Sequence, residues 1–309
     1  MSDVFAGFDK RQIDGRDVWV AGAGPAVIVV HEMPGLHPSV VDFGRRLVHA
    51  GFTAYLPSLF GTPGRAYSRG AYMGRSVLQV CVSREFTVFA LNRTSPIVGC
   101  LRELAAKAHA ECGGPGVGAV GMCFTGGFAL AMAVDERMLA PVLSQPGTPP
   151  PFGARRRAAV DLSEADLAKV RSRSQQDGLC VLGLRFTEDK VVPAERFATL
   201  RRELGDAFLA VEIDSSPGNR YGIPQRRTRC SPRTWSTNRD IRPGMPWTAC
   251  SPSAGSDYTR EHAGFRVLLG ASLPTSRGPA LVVRLVLVGV VVGVSGLVVE
   301  LVARLAVAG

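Results

Sequence analysis

The chain has 309 residues, 46% of them hydrophobic, which is enough for one large α/β domain with a sizeable core. Its net charge of +10 is local: from Arg226 onward there are eleven arginines, no lysine and four acids, so the first 225 residues carry only +3. No aromatic-basic interleaving or binding motif accompanies those arginines, and nucleic-acid binding is not supported. Seven cysteines at irregular spacing give neither a zinc pattern nor a disulfide framework. Cys81, Cys100, Cys112 and Cys180 lie among apolar neighbours and are expected to be reduced core thiols. Residues 1–5 lack the basic-then-apolar order of a signal peptide, so the cytoplasm is the expected compartment.

In chain order, Ala26-Val27-Ile28-Val29-Val30 is a β-branched run, predicted as a strand buried on both faces of a parallel sheet. It leads into His31-Glu32-Met33-Pro34-Gly35-Leu36. A helix holding Val40, Val41, Phe43 and Leu47 follows, then a strand over residues 52–56. A helix around residues 101–105 precedes the strand at 117–121. Next comes Gly121-Met122-Cys123-Phe124-Thr125-Gly126-Gly127, a sharp strand-to-helix turn with a cysteine at its tip, and an apolar helix over 128–134. A strand is predicted at 140–144 and an exposed helix at 161–170, after a loop marked by Pro149-Pro150-Pro151 and Arg155-Arg156-Arg157. Another strand at 179–184 runs into Arg185-Phe186-Thr187-Glu188-Asp189-Lys190. An amphipathic helix (193–204) and a strand (207–213) complete the alternation. Strands alternating with helices imply a doubly wound, mostly parallel sheet with its site beyond the C-terminal strand ends.

Glycines on both sides of the cysteine let the backbone bend tightly and the helix pack close to the sheet. Such a turn holds its side chain clear of the sheet, and the helix N-terminus below favours a thiolate. Alone, the motif also fits a cysteine buried in a small-residue packing seam. A strand ending in an acid, a cysteine turn, and a strand ending in Glu-Asp before a helix together resemble the dienelactone hydrolase family of α/β-hydrolases. The resemblance covers roughly the first two-thirds of the chain. It implies that Cys123 is the nucleophile, that Asp189 orients a catalytic histidine, and that Glu32 meets the thiol in the resting enzyme. It also implies an oxyanion hole built from the backbone N–H groups of Met33 and Phe124. The implied substrate is a small-molecule ester or lactone, with no metal or organic cofactor. Arg84 could pair a substrate carboxylate, although an arginine there is more often simply solvated.

The organisation reads as an α/β domain over residues 1–224, an irregular segment over 225–278 and an apolar Val/Gly-rich tail over 279–309. After Pro224 neither a helical nor a strand period persists, and the only histidine beyond Asp189 is His262. A change of reading frame would account for both; the alternative is a genuine divergent tail and a catalytically inactive family member. If each codon takes the last base of one written residue and the first two of the next, Trp247, Cys250 and Ser251 become apolar residues at helical spacing. The segment from Arg227 to Ser251 then resembles the family's histidine loop and final helix; the codon across Arg227 and Thr228 permits His, Tyr, Asn or Asp, and the resemblance implies His. One missing base just upstream suffices. The stretch 281–302 could be flagged as a membrane span, yet Arg284 and Glu300 interrupt it, and its uncharged part falls short of about 20 residues. Membrane anchoring is the weaker expectation.

Overall fold

The computed structural model describes residues 4–68, 70–86, 91–219, 290–294 and 297–299. The chain opens with a hairpin, β1 (Asp9–Ile13) and β2 (Arg16–Ala21), in antiparallel register from Ile13↔Arg16 to Asp9↔Val20. Its two-residue turn, Asp14-Gly15, has φ of 51° and 73°, the left-handed pair that matches strand twist. Then follow β3 (Ala26–Val30), α1 (Pro38–His49), β4 (Thr53–Pro57), α2 (Ala71–Val82), α3 (Ile97–Cys112) and β5 (Val117–Met122). A 3-10 turn (Cys123–Thr125) leads into α4 (Gly126–Met132), β6 (Met138–Ser144), α5 (Ala154–Ala158) and α6 (Glu164–Gln176). The body ends with β7 (Val181–Phe186), α7 (Ala194–Leu204) and β8 (Phe208–Ile213).

These eight strands form one sheet in the order β1-β2-β4-β3-β5-β6-β7-β8. From β4 to β8 all neighbours are parallel, while β2 meets β4 antiparallel. The doubly wound, mostly parallel α/β sheet is therefore present, with an antiparallel hairpin on one edge. The chain grows outward from β3 to β4 and then returns to lay β5 on the other side of β3. That reversal opens a crevice at the C-terminal ends of β3 and β5.

Side-chain alternation sends Ala26, Ile28, Val30 and Ala119 to one face and Val27, Val29, Val120 and Met122 to the other. The first face is covered by α3, α4 and α7, through Leu101, Phe128 and Phe197; the second receives Val40, Val41, Phe43 and Leu47 of α1. Central strands apolar on both sides explain the unbroken β-branched runs of the sequence.

The helix predicted over 161–170 begins later. Ser163 caps it, its side chain accepting from Asp166 N at 3.1 Å, with Glu164 and Asp166 in the first turn. Asp161 is left outside the helix and buried. Cys81 is exposed on α2 beside exposed Val77, Leu78 and Val82, so the core placement expected for it does not hold; apolar neighbours in sequence are no guarantee of a buried face. Residues 290–294 and 297–299 form β9 and β10, an antiparallel pair separate from the main sheet. Residues 220–289, including His262 and the histidine position of the shifted frame, lie outside the described residues. Among the described residues no helix is long and apolar enough to cross a membrane.

Candidate active site

Cys123 stands at the end of β5 with φ of 51°, a left-handed conformation uncommon for a side chain larger than glycine. The turn closes because its glycines are needed. A Cβ on Gly121 would lie 2.3 Å from the Thr125 carbonyl oxygen, and one on Gly126 would lie 2.5 Å from Pro146 Cα. Thr125 is fully buried and staples the turn. Its hydroxyl accepts from Met122 N at 3.0 Å and lies 2.9 Å from Val30 O and 3.2 Å from His31 O, where it donates. Gly147 N donates to Cys123 O at 2.7 Å. The Cys123 thiol is free and half-buried, and its Sγ makes no hydrogen bond among the described residues. Phe124, the residue after Cys123, packs ring to ring with Phe60, Phe86 and Phe128.

The register of β3 on β5 pairs Val30 with Gly121, so Glu32 and Cys123 each stand two residues past that pair on adjacent strands. Glu32 is buried, and its Oε1 accepts from His37 Nε2 at 3.3 Å. His37 Nδ1 is buried without a partner among the described residues. His31 plays a framework part. Its Nε2 accepts from Leu59 N at 2.9 Å and its Nδ1 donates to Glu32 O at 3.1 Å, which fixes one neutral tautomer. Burial holds its pKa down at about 4, in keeping with that neutral form. Met33, next to Glu32, precedes a cis peptide to Pro34.

Asp189 follows β7, two strands from β5 and therefore about 10 Å across the sheet, at the same strand ends. Its Oδ1 accepts from Val191 N at 2.8 Å and Val192 N at 3.3 Å, while Oδ2 is buried with no partner among the described residues. Burial pushes its pKa up; those two N–H groups and the charges of Arg185 and Arg196 pull the other way. Glu32, Met33, Cys123, Phe124 and Asp189 thus share one sheet edge, Cys123 and Asp189 too far apart to touch without an intervening side chain. Arg84 is exposed. Among the described residues no three His, Cys, Asp or Glu side chains converge so as to hold a metal ion.

A sequence model of the dienelactone hydrolase family matches residues 14–239. The chain belongs to the dienelactone hydrolase family. The match runs from the hairpin turn through β2 to β8 and into the segment after Pro224. "Putative hydrolase fragment YghX" of Escherichia coli (strain K12) is 45% identical over 49 residues, which span 15% of this chain and 42% of that protein. Among solved structures, TT1662 from Thermus thermophilus aligns with 14% identity over 68% of this chain and 89% of its own, at a TM-score of 0.43. The esterase EaEST from Exiguobacterium antarcticum aligns with 12% identity over 66% of this chain and 89% of its own, at a TM-score of 0.40. Membership rests on the family model, and the chain spans less than half the length of the curated relative it matches.

His37, Thr125, Thr148, Asp161 and Arg196 are site neighbours that sequence reasoning missed. Thr125, Thr148, Asp161 and Arg196 act through partners distant in sequence, and His37 through a loop that turns it back onto Glu32; spacing carries no such signal.

Proposed function

We propose that the family fold here serves ester or lactone hydrolysis through a cysteine acyl-enzyme. The observation that carries this reading is Asp189 Oδ2, a buried acceptor with no partner among the described residues, at the same sheet edge as Cys123. A carboxylate fixed by two backbone N–H groups, with one oxygen left over, suits an acid that receives the N–H of a catalytic imidazole. Cys123 Sγ attacks the carbonyl carbon as its proton passes to that imidazole. The Phe124 and Met33 N–H groups hold the developing oxyanion, and the alkoxide leaves with the imidazolium proton. Water, deprotonated by the imidazole, then cleaves the thiol ester and restores the thiol. Glu32, held by His37 beside the nucleophile, is the carboxylate that meets the resting thiol. A small-molecule ester or lactone is the substrate class, and no metal or organic cofactor has a step in the scheme.

The chain as written has no histidine between Asp189 and His262, and the codon that a shifted frame reads across Arg227 and Thr228 can encode one. The reading therefore includes a frame change, and the written chain is a slow or inactive form of the enzyme. Two experiments test it. The nucleotide sequence across codons 219–230, read in three frames, should contain the histidine loop. Adding one base before the Thr228 codon should raise turnover of aryl esters and lactones by roughly three or more orders of magnitude. Full esterase activity in the written chain, or a well-folded repaired chain that is inactive on a broad ester and lactone panel, would contradict the proposal.

A further inference from the structure

The loop that follows β6 grips the nucleophile turn at two successive peptides. Gly147 N donates to Cys123 O at 2.7 Å, which fixes the plane of the peptide whose other end is the Phe124 N–H. Thr148 Oγ1 lies 2.9 Å from Phe124 O, on the next peptide, and 3.0 Å from Asp161 Oδ2. Thr148 and Asp161 are both buried. Asp161 is wedged against the start of α4, where a Cβ on Gly127 would come within 2.6 Å of Asp161 Cβ. The loop itself is anchored by Arg196, a buried guanidinium of α7 that donates to Pro146 O at 2.7 Å, Pro149 O at 2.6 Å, Ala159 O at 2.8 Å and Arg156 O at 3.1 Å. All of these acceptors are carbonyls, so Arg196 acts on Asp161 by charge and not by a hydrogen bond.

A hydroxyl has one hydrogen, and Thr148 has two acceptors in reach. With Asp161 ionised, the carboxylate draws that hydrogen by a charge-assisted bond and Phe124 O loses it. With Asp161 protonated, the acid donates to Thr148 Oγ1 and the threonine hydrogen goes to Phe124 O, so every group in the chain is satisfied. We propose that Thr148 is a positioning residue for the oxyanion-hole turn, and that the protonation of Asp161 decides whether its hydroxyl holds Phe124. The inference rests on the reading of Cys123 and the Phe124 N–H given above. Burial raises the Asp161 pKa to about 6, against the lowering effect of the Thr148 hydrogen bond and the Arg196 charge. Arg196 is the charged group that faces it; α4 carries none, and Asp189 bears on Arg196 from the loop after β7.

The test separates the relay from the enzymatic reading. In the full chain, the carbonyl ¹³C resonance of Phe124 should titrate with a midpoint near pH 6. Asp161→Asn should hold it at its low-pH position throughout, Thr148→Val should abolish the titration, and Thr148→Ser should keep it. In the frame-restored chain assayed below pH 6, where Asp161 is protonated, Thr148→Val should lower kcat on an aryl ester roughly 10-fold with little change in KM, and Thr148→Ser should recover most of it. A Phe124 resonance that does not titrate, or that still titrates in Asp161→Asn or Thr148→Val, overturns the relay whether or not the enzyme is active. An active, folded Thr148→Val with unchanged kcat overturns the positioning role. If the relay titrates as expected while the repaired chain turns over no ester, the relay stands and the enzymatic reading fails.

Discussion

Glu32 and Asp189 sit at the same end of one sheet, both buried, and their surroundings differ. Glu32 finds His37 five residues away in its own loop, and the neighbouring nucleophile turn is closed by Thr125, Gly147 and Thr148, all within residues 30–148. Asp189 has two local N–H donors on one oxygen and nothing among the described residues on the other. The carboxylate of the nucleophile half thus has its partner close by, whereas one oxygen of the acid half has no donor among the described residues. An unpaired buried acceptor costs about 1–3 kcal/mol, more for a charged group, and folds retain such a cost where function uses it.

Cys123→Ala breaks the nucleophile half and has the largest expected effect. In the frame-restored chain it should lower ester turnover by roughly four to six orders of magnitude, measured under saturating aryl ester. Asp189→Asn breaks the acid half. Turnover should fall roughly 10⁴-fold through loss of imidazole orientation. Stability should move the other way in the written chain. Burial raises the pKa of Asp189, so ionising it costs folding free energy as pH rises from its unfolded value towards its folded one. Urea midpoints should therefore fall less between pH 4 and pH 7 in Asp189→Asn than in the parent chain.

Two substitutions sharpen the contrast without touching the reacting atoms. Arg196→Leu removes the donor to four carbonyls between Pro146 and Ala159 and should destabilise by about 3–5 kcal/mol in denaturant melts. Thr125→Val removes the staple between β3 and the turn and should cost about 1–3 kcal/mol. A null result for Thr125→Val would mean that the glycines and the Gly147 bond alone hold the turn.

The central sheet was legible because its strands are apolar on both faces, and such runs stand out in sequence. The placing of Cys123 between strand and helix was legible for a related reason: glycine spacing announces a tight turn. The first hairpin was missed, although Asp14-Gly15 between β-rich runs is a recognisable turn signal. The start of α6 was set three residues early because the capping role of Ser163 went unweighed, and that hid the burial of Asp161. His37 and Thr148 were not legible at all. Thr148 matters through a carbonyl and a carboxylate brought near by folding, and His37 through a loop that turns it back onto Glu32; residue type alone encodes neither.

The central claim is a covalent intermediate on Cys123, and intact-mass spectrometry of the frame-restored chain mixed with an activated aryl acetate tests it most directly. One acetyl group should appear before steady state, map to the peptide containing Cys123 and be absent from Cys123→Ala. Turnover without any adduct on Cys123, or an adduct and turnover that survive Cys123→Ala, would contradict the account.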